Sequence, residues 1–331
     1  MFSFIFDKIP TSISPVLSEL ILSIILGVIQ GITEFLPVSS TAHLLIFSEY
    51  ITKGVLPLTT SNIIQFGTFV AILQFFWEDI SKLFKHCLKA IGNKQLKVDF
   101  INNIKAWIND PNQIFDLSAK NDILLFQLLV ATIPVIITAL ITRSFLENTR
   151  NNLYLVAIFL TLGGVLIVYG ELMHIKKLSL KKSKQMNLKE TMIIGLFQSL
   201  SVFPGVSRSG SALAGGLFLG RNRDESVRFS FLLSIPALGL ASFYDLIKAF
   251  LNLKNGDILI LPKGISLNNL EKGSQINLSL VAIIFSAIIA YLVGLLCLKF
   301  LLRYLAKNDS KVFILYRIIL CIFIVVTYSR I

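Results

Sequence analysis

Much of the sequence consists of apolar stretches, each close to the length of a membrane-spanning helix. A helix needs about 20 residues to cross a hydrocarbon core, and it must satisfy its backbone polar groups internally. Apolar stretches at or near this length cover residues 63–77, 123–142, 153–173, 229–250, 278–302 and 312–328. Shorter and interrupted stretches bring the total to roughly ten helical segments. The sequence therefore predicts an all-α polytopic membrane protein.

Composition agrees with a bilayer environment. Hydrophobic residues make up 54% of the chain and charged residues only 15%, whereas soluble domains carry about 25% charged residues. The net charge of +12 would suggest nucleic acid in a soluble protein. Here the basic residues lie in loops beside apolar segments, as expected for topology signals and anionic lipid headgroups. We therefore expect the membrane bilayer, and no nucleic acid, as a partner.

Two segments separated by 168 positions resemble each other. The stretch GVIQGITEFLPVSSTA from Gly27 aligns without gaps with GLFQSLSVFPGVSRSG from Gly195, and five of the sixteen positions are identical. Both are interrupted at the same place, by Pro37 in one and by Pro204 with Gly205 in the other. Since Pro and Gly interrupt helices, both segments are predicted to be broken helices.

The repeat divides the chain into two halves of one membrane domain. We predict a first half at residues 1–175, a basic cytoplasmic loop at 176–190 and a second half at 191–331. Each half is expected to hold a broken re-entrant helix pair plus three spanning helices. Paired broken segments of this kind mark a binding site near the bilayer midplane in inverted-repeat membrane proteins.

Lysine counts predict the orientation of the repeat. Residues 174–190 hold six lysines and one acid, which predicts a cytoplasmic loop. Counting crossings places residues 78–120, taken as a loop with seven lysines, on the same side, and the loop at 251–277, with three, outside. Three crossings then separate the broken segments, so re-entrant pairs would enter from opposite faces. Such an inverted repeat would bring their tips together.

The first broken segment concentrates polar side chains around Glu34. A charged residue at the centre of a membrane helix costs about 2.5–3.5 kcal/mol, so a carboxylate there requires a reason. Ser40 and His43 share a face if the chain is helical from Val38 onward, and this spacing suits a base beside a hydroxyl or a phosphate-binding histidine. The alternatives are a Glu34 that snorkels or caps a half-helix and a His43 that only packs.

The second broken segment contains PGVSRSG, residues 204–210. The Arg208 guanidinium offers a planar fork of donors suited to phosphate oxygens. Hydroxyls of Ser207 and Ser209, with N–H groups at the start of a half-helix, would complete an anion cradle. The alternative is an Arg208 that forms only a structural ion pair with Glu34.

Further charges follow this segment and are interpreted differently. We assign them to topology and lipid headgroups, where basic residues flank apolar helices; they are Arg221, Arg223, Asp224, Glu225 and Arg228. The three cysteines are too few and too scattered for a disulfide framework or a zinc site.

The motifs resemble a known family. GVIQGITEFLPVSSTAHL and PGVSRSG, continuing through GGLFLGRNRDESVRFSFLLSIP, are similar to the two signature regions of the undecaprenyl-diphosphate phosphatases, bacterial inner-membrane enzymes of the bacitracin-resistance type. The resemblance covers residues 24–328. It implies hydrolysis of undecaprenyl diphosphate to undecaprenyl phosphate and inorganic phosphate, which recycles the carrier lipid of peptidoglycan synthesis. It also implies an inverted repeat with two re-entrant helix pairs.

The resemblance assigns roles residue by residue. The second glutamate of the family's first motif falls on Glu34, its serine on Ser40, its histidine on His43, and the arginine of the second motif on Arg208. Many members carry glutamate where this chain has Gln30, so this chain lacks the second carboxylate of a two-carboxylate metal site. A divalent cation, Mg²⁺ or Ca²⁺, is expected on Glu34 with weak help from Gln30. Phosphate binding is expected from Arg208 with the neighbouring hydroxyls, which belong to Ser39, Thr41, Ser207 and Ser209.

The hypothesis from the sequence is a phosphatase acting on a polyprenyl diphosphate. Ser40 would be the nucleophile or would position water, and His43 would be its base or the acid for the leaving group. A transporter or flippase for polyprenyl phosphates is the main alternative, because paired broken segments are a transporter architecture. A non-catalytic assembly protein is a third reading. A second copy of the chain, forming a homodimer, is an additional expected partner.

Overall fold

The computed structural model describes residues 14–52, 56, 58–110, 117–149, 152–177, 186–254 and 278–328. Within these residues the regular structure is helical. The helices are α1 Pro15–Thr33, α2 Ser40–Phe47, α3 Leu58–Phe75, α4 Trp77–Gly92, α5 Lys94–Asn109, α6 Leu117–Thr149, α7 Leu153–Lys177, α8 Leu188–Ser199, α9 Arg208–Phe218, α10 Arg223–Lys254, α11 Leu280–Leu305 and α12 Lys311–Tyr328. A π-helical turn, Ser48–Thr52, follows α2, and a 3₁₀ turn, Leu200–Val202, follows α8.

Six of the described helices are long and apolar enough to cross a membrane. They are α1, α6, α7, α10, α11 and α12. A seventh candidate combines α3 with the start of α4, which are bent by 74° at their junction. The predicted all-α, multi-pass architecture is confirmed. Helices α2, α8 and α9 have 8, 12 and 11 residues, which is too few to span, and each lies beside a break in the repeat motif.

The prediction that residues 78–120 form a loop is wrong for the described residues, 78–110 and 117–120. These lie almost entirely in α4, α5 and the first turn of α6, and residues 111–116 lie outside the described part of the chain. The Asn93 side chain accepts hydrogen bonds from the N–H groups of Gln95 and Leu96 and so begins α5. Fully buried Trp107 fixes this helix by donating to the Met186 carbonyl at 2.9 Å. These helices carry too many lysines to be recognised as spans, but they are amphipathic and pack with one face only.

The ends of two other predicted loops also differ from expectation. Helix α7 continues to Lys177 and α8 begins at Leu188, so both shorten the loop at 174–190. Helix α10 continues to Lys254. The remainders, residues 178–185 and 255–277, lie outside the described part of the chain.

Helices of the two halves pack against each other. Helix α1 packs on α11, and α8 packs on α6, so the first helix of each broken pair lies against a spanning helix of the other half. Glycine permits both approaches at equivalent repeat positions. A Cβ on Gly27 would lie 2.5 Å from the Ser286 carbonyl oxygen, and one on Gly195 would lie 2.5 Å from that of Ala131. This correspondence supports the repeat, while its inversion across the bilayer stays a prediction.

Cysteine labelling tests that inversion. In a background without Cys87, Cys297 and Cys321, single cysteines at Asn62 and Asn255 should react with an impermeant reagent outside intact cells. Cysteines at Ser183 and Asn308 should react only after permeabilisation, because lysine-rich loops resist translocation. Ser183 and Asn255 lie outside the described residues. Labelling of Ser183 and Asn255 from the same side would contradict the inverted repeat.

Candidate active site

Both breaks in the repeat end in the same unusual backbone conformation. Ser39, just before α2, has φ 73°, and Ser207, just before α9, has φ 77°. These are equivalent repeat positions, and a non-glycine residue held at positive φ costs on the order of 1–3 kcal/mol. Each serine hydroxyl caps its helix by accepting an N–H, from Ala42 at 3.4 Å and from Gly210 at 3.3 Å. The helix after the first break begins at Ser40, two residues after Val38, from which a helix was considered in the sequence.

The structure brings the two breaks into contact. Arg208 Nη1 lies 3.7 Å from Glu34 Oε1. Behind this pair, a Cβ added to Gly210 would lie 3.1 Å from Pro37 Cβ. Helices α2 and α9 both begin here, so their N-terminal N–H groups and positive dipole ends lie at the same junction. Glu34 and Arg208, predicted as site residues from two motifs far apart in the sequence, therefore lie in one cluster.

Glu34 is the centre of this cluster. Its Oε2 accepts a hydrogen bond from Ser40 Oγ at 2.7 Å and from Gln30 Nε2 at 2.9 Å. Its Oε1 accepts from Gln65 Nε2 at 3.1 Å. The side chain is only 6% exposed, so these donors stabilise the carboxylate where water cannot. The hydrogen bond from Ser40 also directs its hydroxyl proton toward a carboxylate oxygen.

Arg208 faces Glu34 without forming a hydrogen bond to it. Its Nη1 is buried and has no hydrogen-bond partner within the described residues. A structural ion pair would place that nitrogen about 2.7–2.9 Å from the carboxylate, closer than the 3.7 Å observed. A buried guanidinium donor without a partner costs free energy, and an anion bound between the two breaks would supply the missing acceptor.

His43 does not contact Ser40 as the spacing had suggested. Its Nδ1 lies 2.7 Å from the Ser39 carbonyl oxygen and its Nε2 lies 2.6 Å from Tyr316 Oη. The imidazole also stacks on the Tyr316 ring, with centroids 5.6 Å apart. Both ring nitrogens are therefore engaged, and the partner of the Ser40 hydroxyl is Glu34. The structural reason is that α2 begins at Ser40, so the Ser39 carbonyl accepts the His43 backbone N–H, at 3.4 Å, and lies close enough to bond the imidazole as well.

The other predicted phosphate ligands differ in exposure. Ser207 and Ser209 are buried, and their hydroxyl oxygens lie 3.3 Å apart. Thr41 lies in the first turn of α2 and is exposed. Ser39 is buried, with its hydroxyl engaged in capping. To bind an anion, the Ser39 and Ser207 hydroxyls would have to give up the hydrogen bonds that cap α2 and α9.

Arg317 of α12 connects the two breaks from behind. It is 1% exposed, and its guanidinium donates only to backbone carbonyls. Nη1 bonds Pro37 at 2.9 Å, Nη2 bonds Gly205 at 2.7 Å and Val206 at 3.1 Å, and both Nε and Nη2 bond Leu160 at 3.1 and 2.8 Å. Because a helix break frees carbonyls that a bilayer cannot hydrate, this one side chain satisfies turn carbonyls of both halves.

Replacing Arg317 by methionine should lower the free energy of unfolding by roughly 3 kcal/mol, since each buried carbonyl left without a donor costs about 1–3 kcal/mol. The desolvation cost carried by the buried guanidinium itself offsets part of the total. Unfolding in mixed micelles measures the change. Arg303→Met, at the exposed end of α11, is the matched control and should change stability by less than about 0.5 kcal/mol. Equal stability of the two variants would remove Arg317 from this role.

Three contributing residues were missed in the sequence, and two carried a signal. Gln65 and Arg317 are polar residues inside apolar segments, which marks a candidate functional position by default. Tyr316 had no such signal, because a tyrosine in a membrane helix is ordinary. Its contact with His43 depends on how α12 packs beside α2.

The basic cluster after α9 is paired within the protein instead of facing headgroups alone. Arg223 binds Glu171 with both nitrogens, at 2.6 and 2.5 Å, and Arg228 binds Asp79 at 2.7 Å. Arg221 is buried and pairs with Glu190. The acidic partners Glu171, Asp79 and Glu190 are distant in sequence, and only the packing shows them. The assignment of these arginines to topology and headgroups stays a prediction.

The donors around Glu34 can be compared with the needs of a divalent cation. No group of three or more His, Cys, Asp or Glu side chains capable of holding a metal occurs in the described part of the chain. Magnesium, however, commonly binds through one or two carboxylates plus water and substrate phosphates. Glu34 offers one carboxylate, and the amide oxygens of Gln30 and Gln65 could turn toward a cation. The set fits a weakly held, oxygen-coordinated ion that depends on substrate for further ligands.

Comparison with known proteins covers nearly the whole chain. Residues 23–323 match the family model described as bacitracin resistance protein BacA. A protein of Chloroherpeton thalassium named undecaprenyl-diphosphatase is 33% identical over 317 residues, which is 94% of this chain and 97% of that protein. The protein of the same name from Renibacterium salmoninarum is 32% identical over 91% of this chain and 93% of its own length. The chain, a multi-pass bacterial membrane protein, therefore belongs to the bacitracin resistance protein BacA family.

Proposed function

We propose that this chain hydrolyses the phosphoanhydride bond of undecaprenyl diphosphate, yielding undecaprenyl phosphate and inorganic phosphate. The observation that carries the proposal is the junction of the two breaks, where a serine hydroxyl bonded to Glu34 lies beside the buried, unpartnered donor of Arg208. The family and the names of its relatives support the same activity. Recycling of the lipid carrier for peptidoglycan synthesis, and resistance to bacitracin, follow from that reaction.

Binding of the diphosphate would use charge and dipoles from both halves. The guanidinium of Arg208 supplies donors to the terminal phosphate, and the N-termini of α2 and α9 add a favourable dipole. Ser207 and Ser209 lie within the same turn and offer hydroxyls. The isoprenoid chain would lie along the apolar helices, since the bilayer is its solvent. Most catalysis of phosphoryl transfer comes from such positioning and charge neutralisation.

Ser40 is the group best arranged to attack. Its Oγ would form a bond to the terminal phosphorus while its proton passes to Glu34 Oε2, 2.7 Å away. The bond from that phosphorus to the bridging oxygen breaks, and the electron pair leaves with undecaprenyl phosphate. Water then hydrolyses the seryl phosphate, which restores the Ser40 hydroxyl and releases inorganic phosphate.

His43 would act on the position of α2, with no proton transfer required of it. The leaving phosphate has a second pKa near 6, like other phosphate monoesters, so it departs at neutral pH without an acid. The imidazole bonds the Ser39 carbonyl and Tyr316. These contacts hold the strained residue that starts the half-helix and thereby orient Ser40.

Gln30→Glu should lower the divalent cation concentration needed for half-maximal activity, by on the order of tenfold, because each added carboxylate ligand strengthens binding of a hard cation. When bound on Glu34 and Gln30, a cation would neutralise charge on the phosphates. Titration of chelator-treated protein with Mg²⁺ and Ca²⁺ measures the shift. Gln95→Glu, on exposed α5, is the control. An unchanged cation requirement in Gln30→Glu would show that the ion binds elsewhere or is not needed.

Phosphate release by the purified chain is the decisive test of the activity. Detergent-solubilised protein should convert a long-chain polyprenyl diphosphate to the monophosphate with one equivalent of inorganic phosphate. A protein that binds the lipid with no phosphate release would instead be the transporter or flippase considered above. The homodimer stays a prediction, which light scattering of the purified protein would measure.

A further inference from the structure

A cleft of about 590 Å³ lies between α7 and α12, away from the candidate active site. It is lined by one face of each helix and by the turn that joins α11 to α12. Glu34, Ser40, His43 and Arg208 do not take part in its lining. The proposed reaction therefore gives this cleft no role.

The walls of the cleft are apolar and open toward lipid. Side chains spaced three or four apart on each helix form them, so each helix presents a single apolar face. Leu172, Ile175, Leu315 and Ile318 are 51–64% exposed, which is the surface that acyl chains would cover. The apolar lining consists of Val168, Leu172, Ile175, Ile314, Leu315 and Ile318.

One end of the cleft is polar, and most of its charges are already balanced. Glu171 is bound by Arg223 and by the Ser310 N–H, the latter at 2.9 Å. Lys311 bonds Asp309 at 2.7 Å. This bond holds the pKa of Asp309 below its ordinary value, so both members of that pair stay charged at neutral pH. The two pairs leave no net charge at the mouth.

Two groups at this end remain available to a ligand. The Lys307 side chain is exposed and has no acidic partner in the described part of the chain. His174 is only 9% exposed, and its Nδ1 is buried without a hydrogen-bond partner among the residues described. A buried nitrogen of this kind costs free energy unless something bonds to it. The ring is also hydrogen-bonded to the Arg221 backbone, so its Nδ1 suits a hydroxyl of the ligand, from which a neutral imidazole nitrogen accepts a hydrogen bond.

We propose that this cleft binds one anionic glycerophospholipid of the surrounding bilayer, with its headgroup between Lys307 and His174 and an acyl chain between α7 and α12. An apolar slot that opens to lipid and ends in one free positive charge matches a molecule with a chain and an anionic head. The basic ends of α7 and α11 are predicted to lie at the cytoplasmic leaflet, where anionic lipids attract basic residues. Phosphatidylglycerol, which has a phosphate and free hydroxyls, suits both groups.

Native mass spectrometry of the delipidated, full-length protein tests the proposal without substrate. Titration with phosphatidylglycerol should show one preferred site compared with phosphatidylcholine of the same acyl chains. Lys307→Met should weaken that site about fivefold, the effect of one lysine near an anionic surface. His174→Phe should weaken it as well. Lys299→Met removes an equally exposed lysine of α11 outside the cleft and should leave binding unchanged.

Two further arms separate the alternatives. Ile314→Trp should fill the slot and reduce retention of phosphatidylglycerol with no change in charge, while Lys307→Met should keep wild-type phosphate release on a short-chain diphosphate. Equal binding of the two phospholipids, or equal losses in Lys307→Met and Lys299→Met, would overturn the proposal. Displacement of phosphatidylglycerol by equimolar polyprenyl monophosphate, lost in Lys307→Met, would assign the cleft to the reaction product and also overturn it.

Discussion

Ser40→Ala is expected to reduce phosphate release on the order of 10⁴-fold, because loss of an activated nucleophile removes the whole covalent route. Folding should be little affected, since the Ser40 hydroxyl bonds a side chain and does not cap α2; Ser39 has that function. Steady-state phosphate release from a polyprenyl diphosphate, normalised to folded protein, measures the loss. Substrate binding should persist, because Arg208 and the helix N-termini remain.

Ser48→Ala provides the matched control for the serine. Its hydroxyl bonds the Leu44 carbonyl within the same segment. This variant therefore measures the effect on activity of removing a buried serine hydroxyl that does not bond Glu34. We expect activity within about twofold of wild type there, as for a substitution away from the reacting groups. A Ser40→Ala enzyme less than about tenfold impaired would show that water, not serine, attacks phosphorus.

Arg208→Lys should lower kcat/KM on the order of a hundredfold, which is the usual effect of losing one preorganised donor to a developing oxyanion. Lysine keeps the charge but lacks the planar fork, so it cannot form the two parallel N–H···O bonds by which arginine binds phosphate. The unpartnered Nη1 of Arg208 is the group whose loss matters. Kinetics with a short-chain and a long-chain diphosphate should show the same factor, because the arginine recognises phosphate and not the isoprenoid.

The control for this change is Arg228→Lys. Arg228 is 54% exposed and pairs with Asp79 at 2.7 Å, so the variant alters an arginine outside the junction. Near-wild-type turnover is expected from it. If Arg208→Lys also turned over substrate at the wild-type rate, Arg208 would be a structural residue and the proposed anion site would lose its main donor.

Sequence and structure agree best where one dominant force acts locally. Long apolar segments predict spanning helices because the bilayer leaves the backbone few other solutions. Proline and glycine at equivalent repeat positions predict the two breaks, and the serines at positive φ occur there. The pattern fails for α4 and α5, since amphipathic helices lack a long apolar stretch.

The residues of the candidate site show the same difference between features that are local in sequence and contacts that depend on packing. Glu34, Ser40, His43 and Arg208 were singled out because polar groups in apolar segments are costly, a property that sequence displays directly. Their partners were not predictable in the same way. Gln65, Tyr316 and Arg317 come from helices far along the chain, and the local spacing favoured His43 as the partner of Ser40.

The class of protein, the two broken segments and the candidate residues can therefore be predicted from the sequence, because each depends on neighbouring residues and on the surrounding solvent. Three contacts become visible only in the folded protein: Ser40 bonds Glu34, His43 bonds Tyr316, and Arg317 satisfies carbonyls of both breaks. The contacts of Tyr316 and Arg317 require α12 of the second half to pack beside the first break, whereas the bond between Ser40 and Glu34 depends on the conformation of the break itself. Hydrogen bonds between distant segments depend on distances of a few ångströms, which packing of the whole bundle sets and no short motif encodes.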